Sequence, residues 1–264
     1  MVSEAVNPTD GIPISFEVSG DGPPVVLVHG SGLSRAIWRG FGYVRALREE
    51  FTVIALDLRG HGRSAKPVRS EDYRMPLVVE DILAVLDVVG APSAHYFGYS
   101  FGARVGFALI DSHPARILSL TAAGGTHRSP AGSVAETFFT GYDYALARGG
   151  MAAFLEDWGR AAGHPIDAQT AAAFRANDPM ALRAYFRQLE REPGIADARV
   201  AELDTSTLLL AGSLDRRRYL DSEVAARLMP HARFHGLPGR DHGNTLRPSD
   251  EVLDVVIPFL RSKA

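Results

Sequence analysis

Short, almost uninterrupted apolar runs recur along this chain at 25–28, 52–56, 95–99, 117–122, 207–211 and 232–237. A strand that is apolar at every position is buried on both faces, and the stretches between these runs carry helical spacing instead. Ile37, Trp38, Phe41, Val44 and Leu47 mark one helix, and Val78, Ile82, Val85, Leu86 and Val89 mark another that Gly90 ends. Apolar strands alternating with amphipathic helices predict the α/β class, a mostly parallel sheet with helices on both faces. An edge strand over 14–19 precedes the Gly20-Asp21-Gly22-Pro23-Pro24 turn. A last helix over 250–260 is expected to be kinked or ended by Pro258, which lacks the N–H that a helix interior needs.

One stretch breaks the alternation. Between 126 and 203 no strand pattern occurs, only helical segments at 134–147, 151–162 and 179–191. The expected organisation is therefore a discontinuous core, 1–125 with 204–264, and a helical insertion over 126–203. The insertion is rich in aromatics, among them Phe138, Phe139, Tyr142, Phe154, Trp158, Phe174, Tyr185 and Phe186. Packing onto the core is the commoner role for such side chains, and a few are expected to line an apolar pocket.

The chemistry-bearing residues fall at strand ends. Gly98-Tyr99-Ser100-Phe101-Gly102 lies where the 93–97 run meets a helical pattern over 102–110. A serine between two glycines at such a junction is held in a sharp turn, because any Cβ beside it would strike the turn or the next strand. Val25 to Val28 breaks into His29-Gly30-Ser31-Gly32, a turn able to aim a backbone N–H, that of Ser31, at a developing oxyanion. Leu208-Leu209-Leu210-Ala211-Gly212-Ser213-Leu214-Asp215 ends a strand in an acid, and Leu237-Pro238-Gly239-Arg240-Asp241-His242-Gly243 ends another in a histidine. Serine alone is a poor nucleophile; a histidine that takes its proton and an acid that orients the histidine would activate Ser100.

Together with Leu56-Asp57-Leu58-Arg59-Gly60-His61-Gly62-Arg63-Ser64, which is similar to an Asp-x-Arg-Gly-x-Gly-x-Ser turn, these pieces resemble the α/β-hydrolase family over nearly the whole chain. The order Ser100, Asp215, His242 is that family's order, unlike the chymotrypsin and subtilisin orders. The resemblance implies the α/β-hydrolase fold with a helical cap over 126–203, a catalytic triad of Ser100, Asp215 and His242, and an oxyanion hole from the N–H groups of Ser31 and Phe101. It also implies a cofactor-independent serine hydrolase acting on a small, largely apolar carboxylic ester, lactone or thioester. Serine rather than aspartate at the nucleophile position argues against dehalogenase and epoxide hydrolase chemistry. Carbon–carbon hydrolysis stays open, since His29-Gly30-Ser31-Gly32 resembles the turn of that branch, as do lyase and receptor roles.

The remaining candidates have plainer roles. His29 and His61 sit in glycine turns and are expected to brace backbone; His235 lies within a strand, and His95, His113, His127, His164 and His231 lack a partner that suggests chemistry. Asp241 is expected to brace its loop and Asp57 its turn. Arg216-Arg217-Arg218 reads as a solvated basic face, the alternative being a contact with Asp215 or with an anionic substrate group. Gly30-x-Gly32 with Asp57 at the next strand end superficially resembles a dinucleotide fingerprint, but Arg35 stands where its third glycine belongs.

Composition narrows the function classes. A net charge of −3 with no basic face disfavours nucleic acid as a partner, and the small-molecule substrate is what the resemblance implies. Cysteine is absent, which excludes disulfides and thiolate metal sites and is compatible with the cytoplasm. Residues 1–10 lack the basic and apolar regions of a signal peptide, no apolar run is long enough for a membrane span, and neither a metal nor a cofactor is called for.

Overall fold

The computed structural model describes residues 2–263. Among them, eight strands form one sheet: β1 (Val2–Val6), β2 (Pro13–Ser19), β3 (Pro24–Val28), β4 (Thr52–Leu56), β5 (Ala94–Tyr99), β6 (Ile117–Ala123), β7 (Thr207–Gly212) and β8 (Ala232–Leu237). Their spatial order is β1-β2-β4-β3-β5-β6-β7-β8. β2 runs antiparallel to β1 and β4, and the other pairings are parallel. The chain leaves β3 for β4 on one side and later places β5 on the other, so the carboxyl ends of β3 and β5 flank a topological switch point. Such a point opens a crevice above the sheet.

The period of two along each strand divides the core. Val26, Val28, Ile54, Leu56 and Tyr96 face one hydrophobic layer; Val25, Leu27, Val53, Ala55 and Phe97 face the other. The second layer is closed by α1 (Ala36–Gly40), α2 (Tyr43–Leu47) and the C-terminal helix Ser249–Arg261. The first is closed by α3 (Met75–Val89) and α4 (Phe101–Ser112), whose Val78, Ile82, Val85, Leu86, Val105 and Leu109 are buried.

Between β6 and β7 lie α5 (Ser133–Thr137), α6 (Tyr142–Ala162), α7 (Ala168–Arg175), α8 (Pro179–Leu189) and α9 (Asp197–Val200), with no strand among them. Asp178 caps α8 by accepting from the N–H groups of Met180 and Ala181, both at 2.9 Å. Phe138, Phe154, Trp158, Phe174 and Phe186 pack against one another with ring centroids 5.0 to 6.1 Å apart, so most of the aromatic content here is packing. After β7 come α10 (Arg216–Leu228) and, last, α11 (Ser249–Arg261).

Three local expectations differ from the structure. β1 carries no hydrophobic signal because only Ala5 of it is buried. The single helix expected over 37–47 is two, α1 and α2, separated at Gly42 with φ 89°. The helix expected over 134–147 is likewise split, by Gly141, and its second half is continuous with 151–162 across a non-helical break at Gly149 and Gly150. Pro258, expected to kink or end the last helix, lies inside α11, which continues to Arg261.

Candidate active site

Ser100 joins β5 to α4 and is the one non-glycine with positive φ among the described residues, at φ 56° and ψ −114°. Two glycines make that conformation possible. A Cβ on Gly98 would run into the carbonyl of Gly102, and one on Gly102 into that of Val28. The turn is pinned by the Ser100 N–H, which donates to the Ala123 carbonyl of the adjacent strand at 2.8 Å. Strain of this kind persists only where its surroundings over-determine it.

Asp215 lies at the end of the β7 loop, at the start of α10, and His242 lies between β8 and α11. These loops bring both to Ser100. His242 Nδ1 is 2.8 Å from Asp215 Oδ2, and His242 Nε2 is 3.0 Å from Ser100 Oγ. A nitrogen facing a carboxylate carries the proton, so Nδ1–H donates to Asp215 and Nε2 is left as the acceptor for the serine hydroxyl. Tyr99 holds the ring from beneath: it stacks on His242 with centroids 5.5 Å apart, and its hydroxyl donates to the His242 carbonyl at 2.6 Å.

Burial, then the positive charge of Arg218, pushes the His242 pKa below its ordinary value, against the pull of Asp215. Burial alone would raise Asp215, but the hydrogen bond from His242 and the Arg218 charge outweigh it and hold the carboxyl below its usual value. Arg218 Nη1 lies 3.2 and 3.4 Å from the two Asp215 oxygens, and Nη2 donates to Thr137 Oγ1 at 2.8 Å. The basic run is thus not one solvated face: Arg216 is exposed, Arg217 lies 2.9 Å from Glu136, and Arg218 engages the acid.

Ser31 and Phe101 border the same cavity as Ser100, and neither backbone N–H has a hydrogen-bond partner among the described residues. The Ser31 turn is braced from several sides. His61 Nε2 accepts from Gly32 N–H at 3.0 Å, and His29 Nε2 accepts from Leu58 N–H at 3.0 Å while its Nδ1 faces the Gly30 carbonyl at 2.8 Å. Asp57 accepts from the Arg35 and Arg63 N–H groups at 2.8 and 2.9 Å and pairs with the Arg35 guanidinium. Asp241 exchanges hydrogen bonds with Asn244 inside its own loop.

The cavity is a narrow cleft partly open to solvent. Val134, Phe138 and Leu189 give it apolar wall, but Arg104, Arg128, Arg217 and Arg218 line it too, so it is far more cationic than the expected apolar pocket. Two contributors had no specific role in the sequence reading, although Tyr185 stood among the aromatics of the insertion. Tyr185 of α8 reaches over the sheet to place its hydroxyl 2.7 Å from Ser31 Oγ, and its ring packs edge-on against His61 and Phe101. Arg104 is four residues after Ser100, and the only sequence signal was a charge within the otherwise apolar stretch 101–110 of its helix. His127 pairs with Asp197 at 2.8 Å in a network with Arg128. Among the described residues no cluster of His, Cys, Asp and Glu is arranged to hold a metal ion, and no helix is long and apolar enough to cross a membrane.

Comparison with known proteins places this geometry in context. A family model described as the alpha/beta hydrolase fold matches residues 23–219. The pimeloyl-[acyl-carrier protein] methyl ester esterase of Methylococcus capsulatus is 38% identical over 143 residues, 54% of this chain and 51% of that protein. The chain spans about half or less of the length of the curated relatives it matches. Among solved structures, the enol-lactonase of Burkholderia xenovorans superposes with a TM-score of 0.82 at 19% identity, covering 99% of this chain and 100% of that one. A bottromycin epimerase solved with bottromycin A2 superposes with a TM-score of 0.80 at 27% identity, covering 98% and 99%.

Proposed function

The chain belongs to the α/β-hydrolase family, and from that premise we propose that it is a serine hydrolase cleaving a small carboxylic ester, lactone or thioester. The observation that carries the reading is the continuous hydrogen-bonded line from Ser100 Oγ through His242 to Asp215. Its relatives' names point the same way, an esterase by sequence and a lactonase by fold.

In this reading Ser100 Oγ attacks the substrate carbonyl as its proton passes to His242 Nε2. Asp215 fixes the tautomer and stabilises the imidazolium without itself being protonated. The tetrahedral oxyanion is met by the N–H groups of Ser31 and Phe101, preorganised donors whose individual loss costs on the order of 3 kcal/mol in comparable sites. His242 then gives its proton to the departing alcohol or thiol, which leaves an acyl group on Ser100. Water attacks the acyl carbonyl as His242 takes its proton, and the bond from the acyl carbon to Ser100 Oγ then breaks as His242 returns that proton to Oγ, which releases the acid and restores the serine. The helices over 126–203 serve as a cap on the core formed by 1–125 and 204–264. Phe138 and Leu189 border the Ser100 cavity, and Tyr185 ties α8 to the oxyanion turn. Such a cap limits water and shapes the acyl site.

The test is sustained nitrophenolate release from a p-nitrophenyl ester series, acetate to octanoate, by the wild type but not by Ser100→Ala. A burst that stops after one equivalent, or no release, would sink the hydrolase reading in favour of a non-hydrolytic use of the same residues.

A further inference from the structure

Arg104 has no part in the acyl transfer at Ser100, yet it borders the cavity that holds that serine. Three of the four arginines there are already engaged. Arg218 binds Asp215 and Thr137; Arg128 pairs with Asp197 and Asp221; Arg217 sits beside Glu136. The Arg104 side chain makes no hydrogen bond or ion pair among the described residues, and its guanidinium carbon lies 5.8 Å from the centroid of the Phe101 ring. The acids at longer range do not reach it. Glu190 accepts from the N–H groups of Gly132 and Val134, and Glu192 accepts from the Met75 N–H and from Gln188.

A guanidinium held in a partly buried wall without a counter-ion is costly, and an anion arriving in the cavity relieves that cost. Arg104 is fixed close to the chemistry, since its backbone N–H donates to the Ser100 carbonyl at 3.3 Å. A single free guanidinium matches a carboxylate best, because its two parallel N–H donors meet two oxygens and one charge neutralises one charge. In the same cavity, Val134, Phe138 and Leu189 offer apolar surface for a short carbon chain.

We propose that the substrate carries a carboxylate bound by Arg104, as in monoesters of short dicarboxylic acids. This rests on the ester-hydrolase reading and narrows its substrate class from neutral to anionic acyl groups. Arg104 is then a specificity-determining residue: it touches the far end of the acyl chain and keeps hold of it while the alcohol leaves and water enters.

The experiment compares kcat/KM for the p-nitrophenyl monoesters of adipic and suberic acid with p-nitrophenyl hexanoate and octanoate, at a pH where the free carboxyl is ionised. The wild type is expected to favour the charged member of each pair by about tenfold or more. Arg104→Met is expected to bring that ratio to about one or below, and Arg104→Lys, which keeps the charge but not the fork, to retain part of it. Circular dichroism melts establish that both variants are folded. An unchanged ratio in Arg104→Met, or a wild type that favours the uncharged esters, overturns the inference and leaves the hydrolase reading standing. Absence of turnover on all four esters is instead the failure of that reading. Calorimetry of adipate and hexanoate on Ser100→Ala then decides whether Arg104 binds a carboxylate. Adipate binding that Arg104→Met removes supports it, and no preference for adipate overturns it.

Discussion

In the proposed mechanism, His242 is the residue on which both rate and pH dependence turn. A general base works only when neutral, and burial together with Arg218 lowers the pKa of this histidine below the ordinary 6.5. A lower pKa means a larger neutral fraction at any given pH, so the rising limb of kcat/KM is expected below pH 6.5 in the wild type. Removing the nearby cation reverses the sign: Arg218→Met is expected to move the limb to higher pH, which a pH–rate profile on an activated ester measures directly. Asp215→Asn is expected to keep the fold but lower kcat on the order of 10³-fold or more, because the imidazole loses its orienting acceptor. Ser100, Asp215 and His242 were legible in the sequence because each stands in a strand-end loop with turn residues around it, in an order that only a few architectures permit. Arg104 and Arg218 were less so. What matters for them is the direction in which a side chain leaves a helix and which acids are already taken, and neither is written in local spacing.

At the scale of elements, strands β3 to β7 were legible for a physical reason: a strand covered on both faces must be apolar at nearly every position, and that pattern is hard to mistake. β8, at the sheet edge, instead alternates exposed Arg233 and His235 with half-buried neighbours. β1 buries one residue and therefore announces nothing. Single glycines at 42 and 141 interrupt helices whose apolar spacing continues across the break, so the spacing alone reads through them. The same limit hid the way α8 meets the core. Tyr185, fully buried, joins α8 to the turn proposed to hold the oxyanion through Ser31 Oγ at 2.7 Å, a contact between residues 154 positions apart. Deleting one such hydrogen bond is worth roughly 1 kcal/mol. Tyr185→Phe keeps the ring against His61 and Phe101 but frees the Ser31 hydroxyl. The expected result is a Tm lower by about 2–4 °C, with kcat/KM on esters reduced roughly fivefold as the oxyanion turn loosens. A scanning melt and steady-state kinetics on the same preparation read both.

For the molecule as a whole, the histidines buried beneath and beside the site set how the fold meets acid. His29 and His61 are fully buried, their rings in contact and their acceptor nitrogens engaged by the N–H groups of Leu58 and Gly32. Burial pushes both down from 6.5, His61 to about 3 with a further push from His29. Burial also lowers His95, to about 4, and His127. A histidine whose folded pKa is depressed stays neutral in the native state while the unfolded chain takes up a proton near pH 6.5. Its contribution is therefore present above that pH and is lost as pH falls toward the folded value. For His61 the window runs from 6.5 down to about 3. Each such group steepens the loss by about 1.4 kcal/mol per pH unit. Unfolding free energies from urea titrations are thus expected to be flat near neutrality and to fall increasingly steeply below about pH 6.5, before the carboxylates begin to titrate. His61→Gln separates the proton from the packing, because its amide oxygen can still accept from Gly32 N–H but cannot be charged. That variant is expected to be somewhat less stable at neutral pH and to lose stability more slowly in acid, by about one proton's worth of slope. Parallel slopes in the two proteins would mean that His61 is protonated in the native state as readily as in the unfolded chain, which its burial against Tyr185 and His29 argues against.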